Sequence, residues 1–415
     1  QGLGYSEDVL SHGVLVWKPW THYPVGYSAL LSVFYRLLGE HTLVAPLLNA
    51  VLGAATAILV HRIALPHVGP TRARVAGGIA ALHPGLIAYC PLVMTEIPSA
   101  FLLVLLVWTL LSFRGRWHAA IFGGVILGVL TLMRPASLLL VPLIALSEPR
   151  PFARAALRSA VTLGIALLLV LPWTARNCMR MDGCALVSTN GGWNLAIGAL
   201  TETGRFQTLH GKDGCPVVTG QVQQDDCWAE VGWRKIKEAP GHWLALAPKK
   251  LAQTFNHESF AIEYMHEADP GAWSEDRREA ARGLLTTAHL GLLAAAALSI
   301  VAIPLGRLKK DEQYWQIGLL VLFSALIFYG IADEQHPFHW LIVLAPVLAF
   351  VPIPGRPYLG ALGRVAMGVV LVTALTHVIF FGEDRYHLFL SPLLCVLAAA
   401  ALREGERVAR APVSS

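Results

Sequence analysis

The chain has 415 residues, 55% of them hydrophobic and 14% charged, with a mean hydropathy of +0.55. A soluble protein of that length needs far more charge to cover its surface, so the composition excludes a soluble globular fold and indicates a polytopic, all-α membrane protein. The net charge of +5 carries no nucleic-acid signal, because the basic residues cluster between apolar runs, where membrane topology accounts for them.

The chain starts at Gln1, and no secretory signal with a charged start and a small-residue cleavage site precedes the first element. The expectation is a processed N-terminus or a fragment that begins inside an outer loop. Residues 23–39, "YPVGYSALLSVFYRLLG", are apolar but short and carry Arg36. Eleven apolar runs follow, at 42–65, 75–92, 97–113, 118–133, 135–147, 157–174, 284–305, 314–332, 338–353, 359–381 and 387–402. Several are long enough, or nearly, for a bilayer core of roughly 30 Å, which takes about 20 helical residues. Gly53 and Ala57 on the first of them suit close helix packing. The runs 118–133 and 135–147 meet at Met133-Arg134-Pro135 and read as a helical pair that need not reach full thickness.

Counted through these runs, the basic clusters fall on one side. They are Arg62, Arg72 and Arg74; Arg114 and Arg116; Arg150, Arg154 and Arg158; Arg307, Lys309 and Lys310; Arg356 and Arg364; and Arg403, Arg407 and Arg410. That side is cytoplasmic by the positive-inside rule. Residues 23–39 then lie on the outer surface as an amphipathic helix, since a crossing there would invert every later cluster. The chain divides into an outer loop and juxtamembrane helix (1–41), an N-terminal transmembrane module (42–174), an extracytoplasmic segment (175–283), a C-terminal transmembrane module (284–402) and a cytoplasmic tail (403–415). Within the outer segment, "AEVGWRKIKEAPGHWLALAPKKLAQTF" reads as two short helices separated by Pro240-Gly241.

Cys90 and Cys395 lie in apolar runs and read as packing residues, whereas Cys178, Cys184, Cys215 and Cys227 share the outer segment. Four cysteines in one extracytoplasmic region indicate two disulfides, with three connectivities open. A zinc site is the weaker reading, because no spacing is C-x-x-C.

Ionisable residues gather in the outward turns: Glu96, Arg134, Asp333, Glu334, His336, His339, Glu383, Asp384, Arg385 and His387, with Lys18 and His22 before the surface helix. Such groups at membrane depth are costly and point to function. Each also has a plain structural reading. Glu96 suits the N-terminus of the following helix, Arg134 a snorkelling interfacial arginine, "DEQHPFH" a solvated turn and "EDRYH" a polar turn with an interfacial Tyr386. His336, His339 and Asp333 have a spacing too general to identify a metal site. The pattern as a whole favours a reaction at the outer membrane surface.

The order of segments resembles the GT-C superfamily of polyprenyl-phosphate-sugar glycosyltransferases, in its protein O-mannosyltransferase-like and lipid A aminoarabinose transferase-like branch. "THYPVGYSALLSVFYRLLG" is similar to the family's Tyr-Pro-Pro-Gly-Tyr-Pro segment, with Val25 in place of the second proline. "LLNAVLGAATAILVHRIA", "ALHPGLIAYCPLVMTEIPSAFLLVLL", "GGVILGVLTLMRPASLLLVPL", "LVLPWTARNCMRMDGCALVSTNGGWNLAIGA" and "EDRYHLFLSPLLCVLAAA" follow in family order. The resemblance implies a GT-C-like helical bundle of about 11 spans. It implies inverting transfer of a sugar from a polyprenyl-phosphate (undecaprenyl-type) lipid to a hydroxyl or amine acceptor. It places Lys18, His22, Tyr23, Arg134, Arg385 and Tyr386 at the substrate, and Glu96 where the family has its second acidic residue. The first acidic residue, the base, is either Glu7 or Asp8 or lies upstream of Gln1, because both carboxylates sit closer to Gly13 than the family pattern has them. A divalent metal is left open, and the partners are the lipid donor, membrane lipids and an acceptor of unassigned identity. The expected location is a bacterial inner membrane with the site facing the periplasm. The rival readings are an oligosaccharide polymerase or ligase and a lipid or solute transporter.

Overall fold

A computed structural model describes residues 4–11, 14–148, 152–216, 220–300, 309–332 and 359–401. The chain opens on an antiparallel hairpin, β1 (Ser6–Ser11) and β2 (Val14–Pro19), that sets Glu7 opposite Lys18 and Asp8 opposite Trp17. This hairpin departs from the all-α expectation; the valines and tryptophan of "VLVWKP" favour an extended strand, but so short a run does not stand out within a loop. Next, α1 (Gly26–Leu38) buries Gly26, Tyr27 and Leu31 and exposes Val33, Leu37 and Leu38, as a helix lying in a membrane interface does.

After α2 (Val44–Val68), Gly69-Pro70 punctuates the chain and α3 (Pro70–Ala81) returns along it, with Ala57 of α2 facing Gly77. The run 75–92 is not continuous: Pro84 cannot extend the α3 ladder, and His83 Nδ1 accepts the Leu86 N–H at 3.3 Å to start α4 (Pro84–Tyr89). α5 (Glu96–Ser112) and α6 (Trp117–Met133) follow; Pro135 stops α6, and a 3-10 turn (Pro135–Leu140) and α7 (Leu143–Ser147) complete the bent pair with Arg134 at its corner. Gly124 and Gly128 of α6 touch Thr162, Ile165, Ala166 and Leu169 of α8 (Phe152–Arg180). At 1.5 Å per residue α8 is roughly 44 Å long, more than a bilayer core, so it carries on past residue 174.

The segment 175–283, expected to face outward, holds α9 (Gly191–Leu200), α10 (Gln221–Glu238), α11 (Pro240–Ala245), α12 (Ala247–Phe255) and α13 (Phe260–Ala268). The stretch expected as two helices is three, since Pro248 in the first turn of α12 starts a new helix after α11. Cys178–Cys184 and Cys215–Cys227 are the disulfides, and Cys90 and Cys395 are free. Ala196, Ile197, Trp228 and Val231 form a separate small core that takes in Cys215 and Phe381. The Gly382 N–H donates to Gly204 O at 2.8 Å, fixing this segment to the C-terminal helices.

α14 (Glu275–Ala297) begins before residue 284, which marks where this helix becomes apolar. α15 (Lys310–Ala332), α16 (Gly360–Ile379), a 3-10 turn (Asp384–Phe389) and α17 (Ser391–Ala401) close the fold. α17 is buried along its length among α2, α3 and α14, in the main apolar core. Among the described residues α2, α8, α14 and α16 are long and apolar enough to cross a membrane. The protein is an integral-membrane helical bundle. The run 338–353 lies outside the described residues, as do Gly13, Arg150, Arg307, Asp333, Glu334, His336, His339, Arg356, Arg403, Arg407 and Arg410.

Candidate functional site

Pro135 leaves Arg134 extended at the end of α6, and Glu96 is the first residue of α5. The two meet: Arg134 Nη2 donates to Glu96 Oε1 at 3.1 Å, with the carboxylate side chain 3% exposed. Among the described residues Glu96 accepts no backbone N–H, and its Oε2 has no partner, so helix capping does not account for it. The Arg134 guanidinium lies 5.9 Å from the Tyr386 ring centroid and 5.3 Å from that of Phe389.

The 3-10 turn after α16 supplies the facing groups. Arg385 lies 5.1 Å from the Tyr386 ring centroid, 4.5 Å from that of Phe260, and pairs with Glu383 at 2.6 Å. Arg134 and Arg385 thus flank one tyrosine, which stacks on His377 with centroids 4.4 Å apart. Burial opposes the charge on Arg385, but Tyr386, Glu383 and Glu96 outweigh it and hold the guanidinium more firmly protonated than usual. Burial pushes the Glu383 carboxyl up against the pull of Arg385. Asp384 holds the turn, accepting from Ser259 N, from Ser259 Oγ at 2.9 Å and from Phe260 N at 2.9 Å, which also caps α13. Tyr27 of α1 bonds Asn49 of α2 at 3.1 Å, and Asn49 donates to Leu92 O at 2.9 Å in the turn before Glu96. α1 touches Leu132 and Met133 at Gly26.

The remaining sequence candidates form a second group. Tyr5 OH donates to Tyr23 O at 3.2 Å, and His22 makes edge contacts with Tyr23 and Trp193. Burial pushes the His22 imidazole down. Glu7 accepts from Gln221 Nε2 at 2.9 Å and stands across the hairpin from Lys18. Arg176 ties the hairpin to α8 by donating to Tyr5 O at 2.7 Å and Trp20 O at 3.0 Å. No hydrogen bond or ion pair among the described residues joins Glu7, Asp8, Lys18 or His22 to the Glu96–Arg134 pair. The structure brings together Glu96, Arg134, Arg385 and Tyr386, while the described contacts of Glu7, Lys18, His22 and Tyr23 are with the hairpin, Gln221 and Trp193.

Sequence reasoning did not single out Phe260, Asn49, Glu258 or His289, which reach this region from segments far apart in the chain. Glu258, His289 and His387 form a buried group able to hold a divalent metal. Clefts among the described residues lie elsewhere too. One of about 500 Å³ is lined by Arg62, His67 and Arg114, and one of about 640 Å³ by Asp182, Asp226 and Glu230.

Residues 22–175 match the sequence profile of the dolichyl-phosphate-mannose-protein mannosyltransferase family. No curated protein matches the chain significantly. The chain is similar to solved structures of the Archaeoglobus fulgidus oligosaccharyltransferase. With the form tethered to an acceptor peptide containing an NVT sequon, identity is 14% and the TM-score 0.44, over 94% of this chain and 42% of that one. With the form named AglB, in complex with an inhibitory peptide and a dolichol-phosphate, identity is 14% and the TM-score 0.44, over 92% and 43%. The chain spans less than half the length of these proteins.

Proposed function

We propose, on the match of residues 22–175 to the dolichyl-phosphate-mannose-protein mannosyltransferase family, that the chain is a GT-C-type glycosyltransferase-like membrane protein that transfers a sugar from a polyprenyl-phosphate carrier to an acceptor hydroxyl or amine at the extracytoplasmic face of a bacterial inner membrane. Nucleotide sugars are absent there, so a lipid-linked donor is the natural substrate. The observation that carries the reading is the Glu96–Arg134 pair beside Arg385 and Tyr386.

In this reading the acceptor oxygen or nitrogen attacks the anomeric carbon from the face opposite the phosphate. The bond from that carbon to the phosphate oxygen breaks, the configuration inverts, and polyprenyl phosphate leaves with the bonding electrons. Charge develops on the phosphate, where arginine forks bind best. Arg134 spends one of its five donors on Glu96 and keeps others for phosphate, and Arg385 and Tyr386 OH supply more. Glu96, through its unpartnered Oε2, orients the acceptor or the arginine. The acceptor's proton goes to a carboxylate base, Glu7 or Asp8 or a residue upstream of Gln1.

Arg134→Ala in the full-length protein tests this directly. Transfer should fall by on the order of 10²-fold or more, with loss of polyprenyl-phosphate binding in native mass spectrometry and unchanged membrane insertion. Full transfer by this variant would overturn the assignment.

A further inference from the structure

One buried cluster is not used by the transfer chemistry. Glu258 lies in the loop between α12 and α13, His289 on α14 and His387 on the 3-10 turn before α17. One ligand atom from each lies within 4.8 Å of the others, and the residues are 1%, 0% and 0% exposed. Both Glu258 carboxylate oxygens, His289 Nδ1 and His387 Nε2 make no hydrogen bond among the described residues. A buried polar atom left unmatched is costly, more so where it is charged.

The far side of each ring fixes what faces inward. His289 Nε2 is 3.0 Å from Phe255 O and His387 Nδ1 is 2.8 Å from Thr254 O. A carbonyl only accepts, so those two nitrogens carry the protons, and His289 Nδ1 and His387 Nε2 present lone pairs toward the carboxylate. Backbone carbonyls behind the rings are the usual supports of metal-bound histidines. His83 has the opposite tautomer: its Nδ1 accepts from the Leu86 N–H, leaving the proton on Nε2, which has no partner among the described residues, so it is a donor near the site and not a ligand. Gly85 makes room, since a Cβ there would lie 1.9 Å from Glu258 Oε1.

We propose that Glu258, His289 and His387 bind a zinc ion as a closed structural site that pins the outer segment and α14 to the turn carrying Arg385 and Tyr386. Two imidazole nitrogens and a bidentate carboxylate make a four-coordinate donor set suited to Zn²⁺, and full burial leaves no open position for substrate. The metal-free rival is a protonated His387 paired with Glu258 at 3.5 Å. It leaves His289 Nδ1 without a partner and sets the charge against the stacked His289 ring, 3.6 Å away.

The test uses full-length protein purified in detergent without chelator and does not depend on sugar transfer. Metal analysis should find about one zinc per chain, lost in Glu258→Gln and His289→Ala. Dipicolinate should lower the thermal midpoint of the wild type by roughly 5–10 °C, with recovery on adding zinc but not magnesium. Cobalt loaded into the stripped wild type should give the intense visible bands of a four-coordinate ion, a readout that survives if either variant fails to fold. Wild-type protein that carries no metal and gains neither stability from zinc nor colour from cobalt would overturn the proposal in favour of the ion pair. Variants that keep full zinc would overturn it too.

Discussion

Glu96 stands at the positive end of α5, yet its carboxylate goes to Arg134 and not to its own helix. Removing one member of a buried pair strands the other charge, at about 3–5 kcal/mol. Glu96→Gln keeps an oxygen for the guanidinium and loses only the charge, so transfer should drop by about 10²-fold while the folded protein persists, as checked by activity beside size-exclusion profiles. Arg134→Lys should fail as well, because a single ammonium cannot hold Glu96 and grip a phosphate in two directions. A second residue-scale effect belongs to Lys250 of α12, which is fully buried with Nζ donating to Val378 O at 2.9 Å and 5.3 Å from the Trp243 ring centroid. Loss of water pulls its ammonium from 10.5 down to about 8. Between those values the unfolded chain holds a proton that the folded chain has released, so stability rises with pH across that window and is flat, at its least favourable, below it. Thermal unfolding from pH 7 to 10.5 should show this rise, and Lys250→Met should flatten it. Glu96, Arg134 and Arg385 were legible in the sequence because a charge beside a long apolar run stands out. Glu258 and His289 were not, since they meet His387 only in space.

At the scale of elements, the long apolar helices were legible for the same reason and the hairpin was not. The outer segment is held by contacts that no pattern announces. Asn190 makes no side-chain cap for α9; Asp225 of α10 reaches across, its Oδ1 accepting from Gly192 N at 2.7 Å and Trp193 N at 3.2 Å. Asp225→Ala should therefore cost about 1–2 kcal/mol, as the loss of a cap does. Replacing Cys215 and Cys227 by serine opens a loop of 12 residues, worth about 3 kcal/mol by chain entropy. Both changes should speed proteolysis within 191–238 and leave the membrane helices intact; equal cleavage in variant and wild type would show that these contacts do not hold the segment. The register of cysteines told that bridges form, but which of three pairings required the fold.

At the scale of the whole molecule, charged pairs among the described residues stand at both ends of α5 and α6. At one, Arg158 pairs with Glu148 and donates to Gly115 O at 2.6 Å, while Arg364 Nε donates to Leu146 O at 2.9 Å, so arginines counted for topology also tie loop ends together. At the other, Glu96, Arg134 and Arg385 lie with the outer segment. A transporter places its charges near the midplane on broken helices, in paired repeats; a transferase fed by a lipid carrier gathers them at one face. The two readings part on sidedness. A cysteine introduced at the exposed Lys237 should react with a membrane-impermeant maleimide in intact cells, and one at the exposed Arg154 only after permeabilisation. Since α8 joins Arg154 to the outer segment through a single apolar helix, labelling of both in intact cells would mean that α8 does not cross. The outward-facing site and the positive-inside assignment would then fall together, because each Arg cluster is placed by counting from that crossing.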